Sequence, residues 1–281
     1  MIELNKIYQE DCIHFMNRMV NDGISVDVIV TSPPYNLNKK YQSYIDRRER
    51  KDYLCWLSEI AKTSYKILGN DGSFFLNVSG TPSDSLPPFE VSTVFTHSGY
   101  KLQNTIHWIK SIAIERDDLA KNGFFSPSES VSIGHFKPIS SGRFLNDFHE
   151  YIFHFTKDGN VKLNKLAIGV PYQDKTNIGR WKSSKEDKRD RGNIWFIPYQ
   201  TIRKERPHPA VFPERLPYLC IKLHGIKKGM IVYDPFMGIG STALACLQLD
   251  VDFIGTEIDH GYIKAAKGSI DKLKWKISFK N

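Results

Sequence analysis

Met230-Ile231-Val232-Tyr233-Asp234-Pro235-Phe236-Met237-Gly238-Ile239-Gly240-Ser241-Thr242 carries the signature of a strand, a glycine turn and a helix in succession. Met230 to Tyr233 is an apolar run of strand length,. Pro235 and the two glycines end it, and an apolar helical pattern resumes from Gly240 to Leu249,. Glycines at a strand-to-helix turn let the backbone approach a ligand closely, and the helix N-terminus offers unpaired N–H groups. The next strand, Asp252 to Thr256, is followed directly by Glu257. A carboxylate at that point can accept both hydroxyls of a ribose. Together these features call for a cofactor that contains a nucleoside.

Working outward, the same alternation recurs at the other end of the chain. Val26 to Val30 reads as a buried strand that stops at Thr31-Ser32-Pro33-Pro34-Tyr35, because adjacent prolines end strands and helices alike. Tyr53 to Leu68 carries apolar residues at helical spacing and ends near Gly69-Asn70,. Ser73 to Val78 and Leu102 to Ile109 are strands, with a helix from Pro87 to His97 between them. Short strands are expected at Glu150 to Phe155 and Asn193 to Ile197, and helices at Pro213 to Leu223 and Gly261 to Leu273. Strands that alternate with helices predict an α/β fold, a doubly wound and mostly parallel sheet of Rossmann-like type. The weakly patterned middle is then an insertion or a small second domain. The expected division is a first half over 1–110, an inserted region over 111–205 and a cofactor-binding half over 206–281.

Composition sets the outer limits. The chain has 281 residues, of which 41% are hydrophobic and 25% charged, which excludes collagen-like, mucin-like and wholly disordered classes. That length suits one large domain, or one domain with a substantial insertion. No apolar run is long enough for a membrane span, and the first residues do not read as a signal peptide. Cys12, Cys55, Cys220 and Cys246 form no CxxC pair, so reduced thiols are expected rather than a zinc site or a disulfide framework. His97, His107, His149 and His154 have no metal-ligand spacing, and Trp108 is expected in the core.

The net charge of +8 is concentrated. Lys157 to Arg206 holds 13 Lys and Arg against 6 Asp and Glu, and Lys39 to Asp52 holds six against three. Tyr41, Tyr44, Tyr172, Trp181 and Trp195 are interleaved with that charge, a mixture that suits a phosphate backbone with bases nearby. A solvated surface loop would carry the same pattern.

Two readings of the glycine turn stand side by side. Gly238-x-Gly240-x-x-Ala243, with Glu257 downstream, matches the dinucleotide fingerprint,, as an oxidoreductase would require. Asp234-Pro235 ahead of the glycines instead favours S-adenosylmethionine, because it places a carboxylate near a cationic ligand. Ser32-Pro33-Pro34-Tyr35 adds what an oxidoreductase does not need. The Ser32 hydroxyl and the Pro33 carbonyl can both accept hydrogen bonds from one exocyclic NH₂, and Tyr35 offers a ring for a base to stack on. Two acceptors on such an amine stabilise the positive charge it gains when it attacks a methyl group.

With both turns in view, the chain resembles the amino-methyltransferases of DNA, which act on cytosine N4 or adenine N6. The Thr31–Tyr35 turn precedes the Asp234–Thr242 turn, with the basic block between them, an order that resembles the permuted β group of that family. Ile7-Tyr8-Gln9-Glu10-Asp11-Cys12 resembles its acidic N-terminal motif, and Arg206 to Leu216, with His208-Pro209 and Pro213, resembles the segment that leads into the helix beside the cofactor. The resemblance implies S-adenosyl-L-methionine as cofactor, with Asp11, Thr31, Asp234, Pro235, Phe236, Gly238, Gly240, Ser241, Thr242, Glu257 and Ile258 around it. It implies Ser32, Pro33, Pro34 and Tyr35 as the catalytic turn, acting on a base flipped out of the duplex. DNA contacts are expected from Lys39, Lys40, Arg47, Arg180, Lys182, Lys188, Arg189 and Arg191.

Two departures are informative. Ser32 stands where the family's adenine enzymes commonly have Asp, which favours cytosine N4 and leaves adenine N6 as the alternative. Phe212 replaces the Lys that commonly precedes the last proline of the entry segment, so the contact to the cofactor carboxylate is unassigned. No Pro-Cys pair occurs, which disfavours carbon-5 methylation. Expected partners are double-stranded DNA, with room for a cognate restriction endonuclease and a homodimer, and no membrane. The expected location is the cytoplasm of a prokaryote, in association with the nucleoid.

Overall fold

The structure is a computed structural model. It describes residues 1–278 except 40, 42, 121–128, 135, 137, 140, 181–185 and 199–210. In chain order the elements are β1 Lys6–Gln9, α1 Cys12–Asn21, β2 Val26–Thr31, α2 Arg50–Ile67, β3 Leu68–Val78, α3 Pro87–His97, β4 Lys101–Ile109 and β5 Ile112–Ile114. They continue with α4 Arg116–Ala120, β6 Val131–Ile133, β7 His149–Thr156, β8 Ile194–Phe196, α5 Arg215–His224, β9 Ile231–Asp234, α6 Ser241–Leu249, β10 Asp252–Glu257 and α7 His260–Ser278.

Among the described residues, eight strands form one sheet in the order β1-β10-β9-β2-β3-β7-β4-β8. All neighbouring pairs are parallel except those of β7, which runs antiparallel to both β3 and β4. The mostly parallel, doubly wound sheet expected from the sequence is therefore present. Strand order reverses between β9 and β2, whose registers pair Val28 with Val232 and Ile29 with Tyr233. In open α/β sheets a crevice opens at such a reversal, outside the carboxyl ends of the strands. Thr31, Asp234 and Glu257 all stand at such ends.

Strand alternation sorts the core into two layers. Val28, Val30 and Phe75 face a cluster that includes Leu219 and Ile221 of α5, Ala243 and Leu244 of α6, and Ile263 and Ala266 of α7. Ile29, Phe74 and Leu76 face the opposite cluster, with Phe15, Met16 and Met19 of α1, Leu57 and Ile60 of α2, and Phe95 of α3. Period-two alternation along β2 and β3 is what presents an apolar surface to both faces. Trp108 lies in the first cluster, and its indole N–H donates to the Ile197 carbonyl at 2.7 Å.

Three local features differ from the sequence reading. The β1–α1 unit was not expected as secondary structure; β1 pairs with β10, which brings the two ends of the chain together. β3 begins at Leu68, directly after α2, and not at Ser73. Within 111–205, β7 enters the middle of the sheet and β8 its edge, so part of the span assigned to an insertion belongs to the central scaffold. Among the described residues, no helix is long and apolar enough to cross a membrane, and no cluster of His, Cys, Asp or Glu is arranged for a metal. Cys12, Cys220 and Cys246 are buried, Cys55 is exposed, and all four are free thiols.

Candidate active site

A cleft opens at the strand-order reversal. Its walls include Asp11, Ser32 to Tyr35, Pro235 to Ile239, Ser241, Glu257 and Ile258. The two turns singled out by sequence thus meet, although most of the chain separates them. The glycine turn fits through its backbone: Gly238 and Gly240 have φ of 52° and 91°, in the left-handed region where glycine carries no Cβ penalty. A Cβ on Gly240 would also lie 3.0 Å from the Ala266 Cβ.

Two carboxylates, Glu257 and Asp11, stand on the cleft wall. Glu257 accepts from Gly238 N at 2.8 Å through Oε2 and from Asp259 N at 2.9 Å through Oε1. Burial pushes its carboxyl above the ordinary range, and these backbone N–H groups oppose that shift. Asp11 caps α1, accepting from Ile13 N at 2.9 Å and His14 N at 3.2 Å through the same oxygen, Oδ1. Its other oxygen makes neither of these bonds.

Asp234 is placed differently from Glu257. It is buried and does not line the cleft. Thr31 Oγ1 donates to its Oδ1 and Thr242 Oγ1 to its Oδ2, both at 2.6 Å, and Phe236 N donates to Oδ1 at 3.0 Å. It clamps the end of β2 to the start of α6 from behind the wall, and Thr31 and Thr242 are part of that clamp. Burial raises its carboxyl to about 6, with the three donors opposing.

The Ser32–Tyr35 turn is held on both sides. Tyr53 Oη donates to the Pro34 carbonyl at 2.8 Å. Ser32 Oγ donates to Tyr35 Oη at 2.7 Å, and Tyr35 Oη donates to Glu150 Oε2 at 3.0 Å. Burial, and then the charge of Glu150, hold the Tyr35 phenol well above its ordinary range. Ser32 and the Tyr35 ring remain on the cleft wall. Sequence reading did not find Glu150, because no local motif marks it; only the pairing of β7 with β3 and β4 brings it here.

Leu37, Lys39, Tyr41, Ser43, Tyr44 and Arg48 also line the cleft. Buried Asp46 accepts from the backbone N–H groups of Asn36, Leu37 and Lys39 at 2.8, 3.0 and 3.0 Å. Ser43 Oγ donates to Asp259 Oδ2 at 2.6 Å, beyond the end of β10. The Arg48 guanidinium lies over the Trp56 ring at 4.8 Å, and Trp56 meets Phe236 edge to face at 5.6 Å. The charge of Lys39 to Asp52 suits either a phosphate backbone or a solvated loop, and Lys39 itself lines the cleft. Phe212 is also on the wall, held by Ser241 Oγ donating to its carbonyl at 2.8 Å.

The expected DNA contacts divide. Arg47, Arg180, Lys188 and Arg189 are exposed. Lys188 pairs with Glu186 at 3.1 Å, and the Arg191 Nε donates to the Ile168 carbonyl at 2.8 Å. Lys40 and Lys182 lie outside the described residues, as does the His208-Pro209 part of the entry segment.

Comparison with known proteins decides what this site belongs to. The profile of the DNA methylase family, which covers N6 and N4 enzymes, matches residues 26–268. The chain belongs to that family. It is 42% identical to the type II methyltransferase M.BglI of Bacillus subtilis over 328 aligned residues, covering 96% of this chain and 86% of that protein. It is 28% identical to the type II methyltransferase M.BglII of Bacillus subtilis, covering 94% and 68%. Its fold is similar to the PvuII cytosine-N4-specific DNA methyltransferase, with a TM-score of 0.64 at 19% identity over 93% of this chain and 84% of that one. It is also similar to the M1.HpyAVI complex with S-adenosylmethionine, with a TM-score of 0.55 at 21% identity over 94% and 98%. This DNA methylase is therefore an amino-methyltransferase of the N4/N6 type, and S-adenosyl-L-methionine is its cofactor. The dinucleotide-oxidoreductase reading of the glycine turn is set aside. Gly238 and Glu257 stand together on the cleft wall, while Asp234 lies behind it.

Proposed function

We propose that this DNA methylase transfers a methyl group to the exocyclic N4 amine of cytosine at a specific site in double-stranded DNA. The proposed setting is a type II restriction–modification system, in which a cognate endonuclease cuts the same site. The observation that carries the reading is the bond from Ser32 Oγ to Tyr35 Oη. It directs the serine's proton away from the cleft and leaves the oxygen's lone pairs for an amine. The PvuII neighbour, cytosine-N4-specific by its title, and the Ser at position 32 support cytosine over adenine.

In this mechanism S-adenosyl-L-methionine supplies an electrophilic methyl group when bound. Glu257 and Asp11 hold its nucleoside. Ser32 Oγ and the Pro33 carbonyl accept the two protons of the amine, and Tyr35 stacks on the base. The target leaves the duplex, because its amine is otherwise buried in the base stack, and opening the pair costs a few kcal/mol. Phosphate contacts from the exposed Arg47, Arg180 and Arg189 offset part of that.

The test is mass spectrometry of nucleosides from DNA incubated with the protein and its cofactor. N4-methylcytosine is the expected product, strongly reduced by Tyr35→Ala while cofactor affinity stays near wild type. N6-methyladenine overturns the choice of base and keeps the reaction. Equal loss of methylation and cofactor affinity in Tyr35→Ala removes the stacking role.

A further inference from the structure

From the Ser32–Tyr35 turn a polar chain runs inward to a carboxylate that neither sequence motif contains. From the cleft inward it reads Ser32 Oγ, Tyr35 Oη and Glu150 Oε2, with steps of 2.7 and 3.0 Å. The Glu150 carboxylate is itself held: Asn77 Nδ2 donates to Oε2 at 2.9 Å, and the Lys110 ammonium pairs with Oε1. Asn77 comes from β3, Glu150 from β7, and Lys110 from the residue after β4. Three neighbouring strands thus converge on one carboxylate that does not line the cleft.

An ionised carboxylate only accepts hydrogen bonds. It therefore fixes the direction of every bond above it. Tyr35 must donate to Glu150, so its oxygen accepts from Ser32, and the Ser32 oxygen is left with lone pairs alone. A serine with no such chain behind it donates as readily as it accepts.

Building on the amino-methyltransferase reading above, we propose that Glu150 sets the polarity of the site. Acting through Tyr35, it makes Ser32 an acceptor for an amine and takes up the proton that the amine releases. The electron balance is simple. As the amine nitrogen's lone pair forms the bond to the methyl carbon, the C–S bond breaks and its electrons go to sulfur. The nitrogen then carries one proton too many. That proton passes to Ser32 Oγ, the serine proton to Tyr35 Oη, and the tyrosine proton to Glu150 Oε2. Both hydroxyls end as they began, the methylated amine is neutral, and Glu150 ends as a carboxylic acid that returns its proton to water. Glu150 is a positioning residue in this scheme, since it never touches the base.

The test uses the full chain, two variants, and the duplex that the wild-type protein methylates. Binding is measured by fluorescence anisotropy without cofactor, on that duplex and on one with uracil at the target cytosine, which exchanges the amine for a carbonyl oxygen. The energy of opening each pair is common to all proteins and cancels between them. In Tyr35→Phe, Ser32 loses its acceptor and regains a proton to donate; in Glu150→Gln the side-chain NH₂ can donate to Tyr35 Oη, so the chain no longer has one fixed direction, and in both the preference for cytosine over uracil falls about tenfold relative to wild type. The single-turnover methylation rate falls about 100-fold, and the normal solvent isotope effect of the wild type is lost. Tyr35→Phe keeps the ring, so it carries the test if Glu150→Gln fails to fold.

An unchanged cytosine preference in the variants overturns the proposal. So does a wild-type rate in Tyr35→Phe, or a rate loss with an unchanged isotope effect, because the chain is then only a scaffold. Methylation of adenine by the wild type overturns the base assignment alone, and adenine against hypoxanthine then replaces cytosine against uracil. Failure of the wild type to modify any DNA overturns the functional reading, and this proposal with it.

Discussion

Asp234 gives the sharpest prediction, because two opposing effects meet on one buried carboxylate. Burial disfavours its charged form; Thr31, Thr242 and the Phe236 N–H favour it. Burial wins, and the carboxyl rises from 3.8 to about 6. A carboxylate whose folded value is raised lends full stability below the unfolded value and loses it as pH climbs through the folded one. The whole penalty is roughly 3 kcal/mol at 1.36 kcal/mol per unit, and roughly 2 kcal/mol of it accrues between about pH 4.5 and 8. Asp234→Asn has the same shape and does not titrate. Its amide can still pair with both threonines, because a hydroxyl donates or accepts. The melting temperature of Asp234→Asn, relative to wild type, should therefore rise by about 4 °C between about pH 4.5 and 8. Every other titrating group is shared by the two proteins and drops out of the difference. Paired thermal melts across that range supply the measurement. A flat difference refutes the reasoning, and a falling one means that the three donors outweigh burial.

Other perturbations reach other parts of the molecule. His154 is buried between Asn104 and Ser73, and burial lowers it to about 3. Its folded form is neutral, so stability is full above the unfolded value and falls by roughly 3 kcal/mol between about pH 6.5 and 4; His154→Gln should flatten that acid limb in urea titrations. Glu257→Gln removes the charge proposed to hold the ribose and should weaken cofactor binding about tenfold by calorimetry, with little change in DNA affinity. Arg180→Ala and Arg189→Ala should each weaken DNA binding evenly across sequences and reduce the slope of log affinity against log salt by about 1. A sequence-dependent loss at either position would point to base reading instead of phosphate contact.

Much of the scaffold is legible in the residue pattern because its signals are local. Alternation in Val26 to Val30, the helical spacing from Tyr53 to Leu68 and the glycines at 238 and 240 each act within a few residues. β1 was missed because a four-residue strand at the sheet edge has too short a period to stand out, and its partner β10 lies at the far end of the chain. β7 shows as a strand, but its place between β3 and β4 depends on a pairing that no local pattern encodes.

The site divides in the same way. Ser32, Tyr35 and Glu257 announce themselves by motif, and the fold brings them to one cleft. Asp234 looks like a ligand contact in sequence, since an acid before a glycine turn suits a cation. Its burial and its two threonine partners instead make it a clamp behind the wall. Glu150, Lys110 and Asp46 carry no motif, and their roles follow from strand neighbours and loop closure alone.

The measurement that bears most directly on the central claim is a methylation map of a host that lacks its own DNA methylation, made after the protein is expressed there. The account predicts N4-methylcytosine confined to one short recurring sequence, and none when Tyr35→Ala is expressed instead. N6-methyladenine at the recurring site, or a genome left unmodified by a folded protein that binds its cofactor, would contradict it.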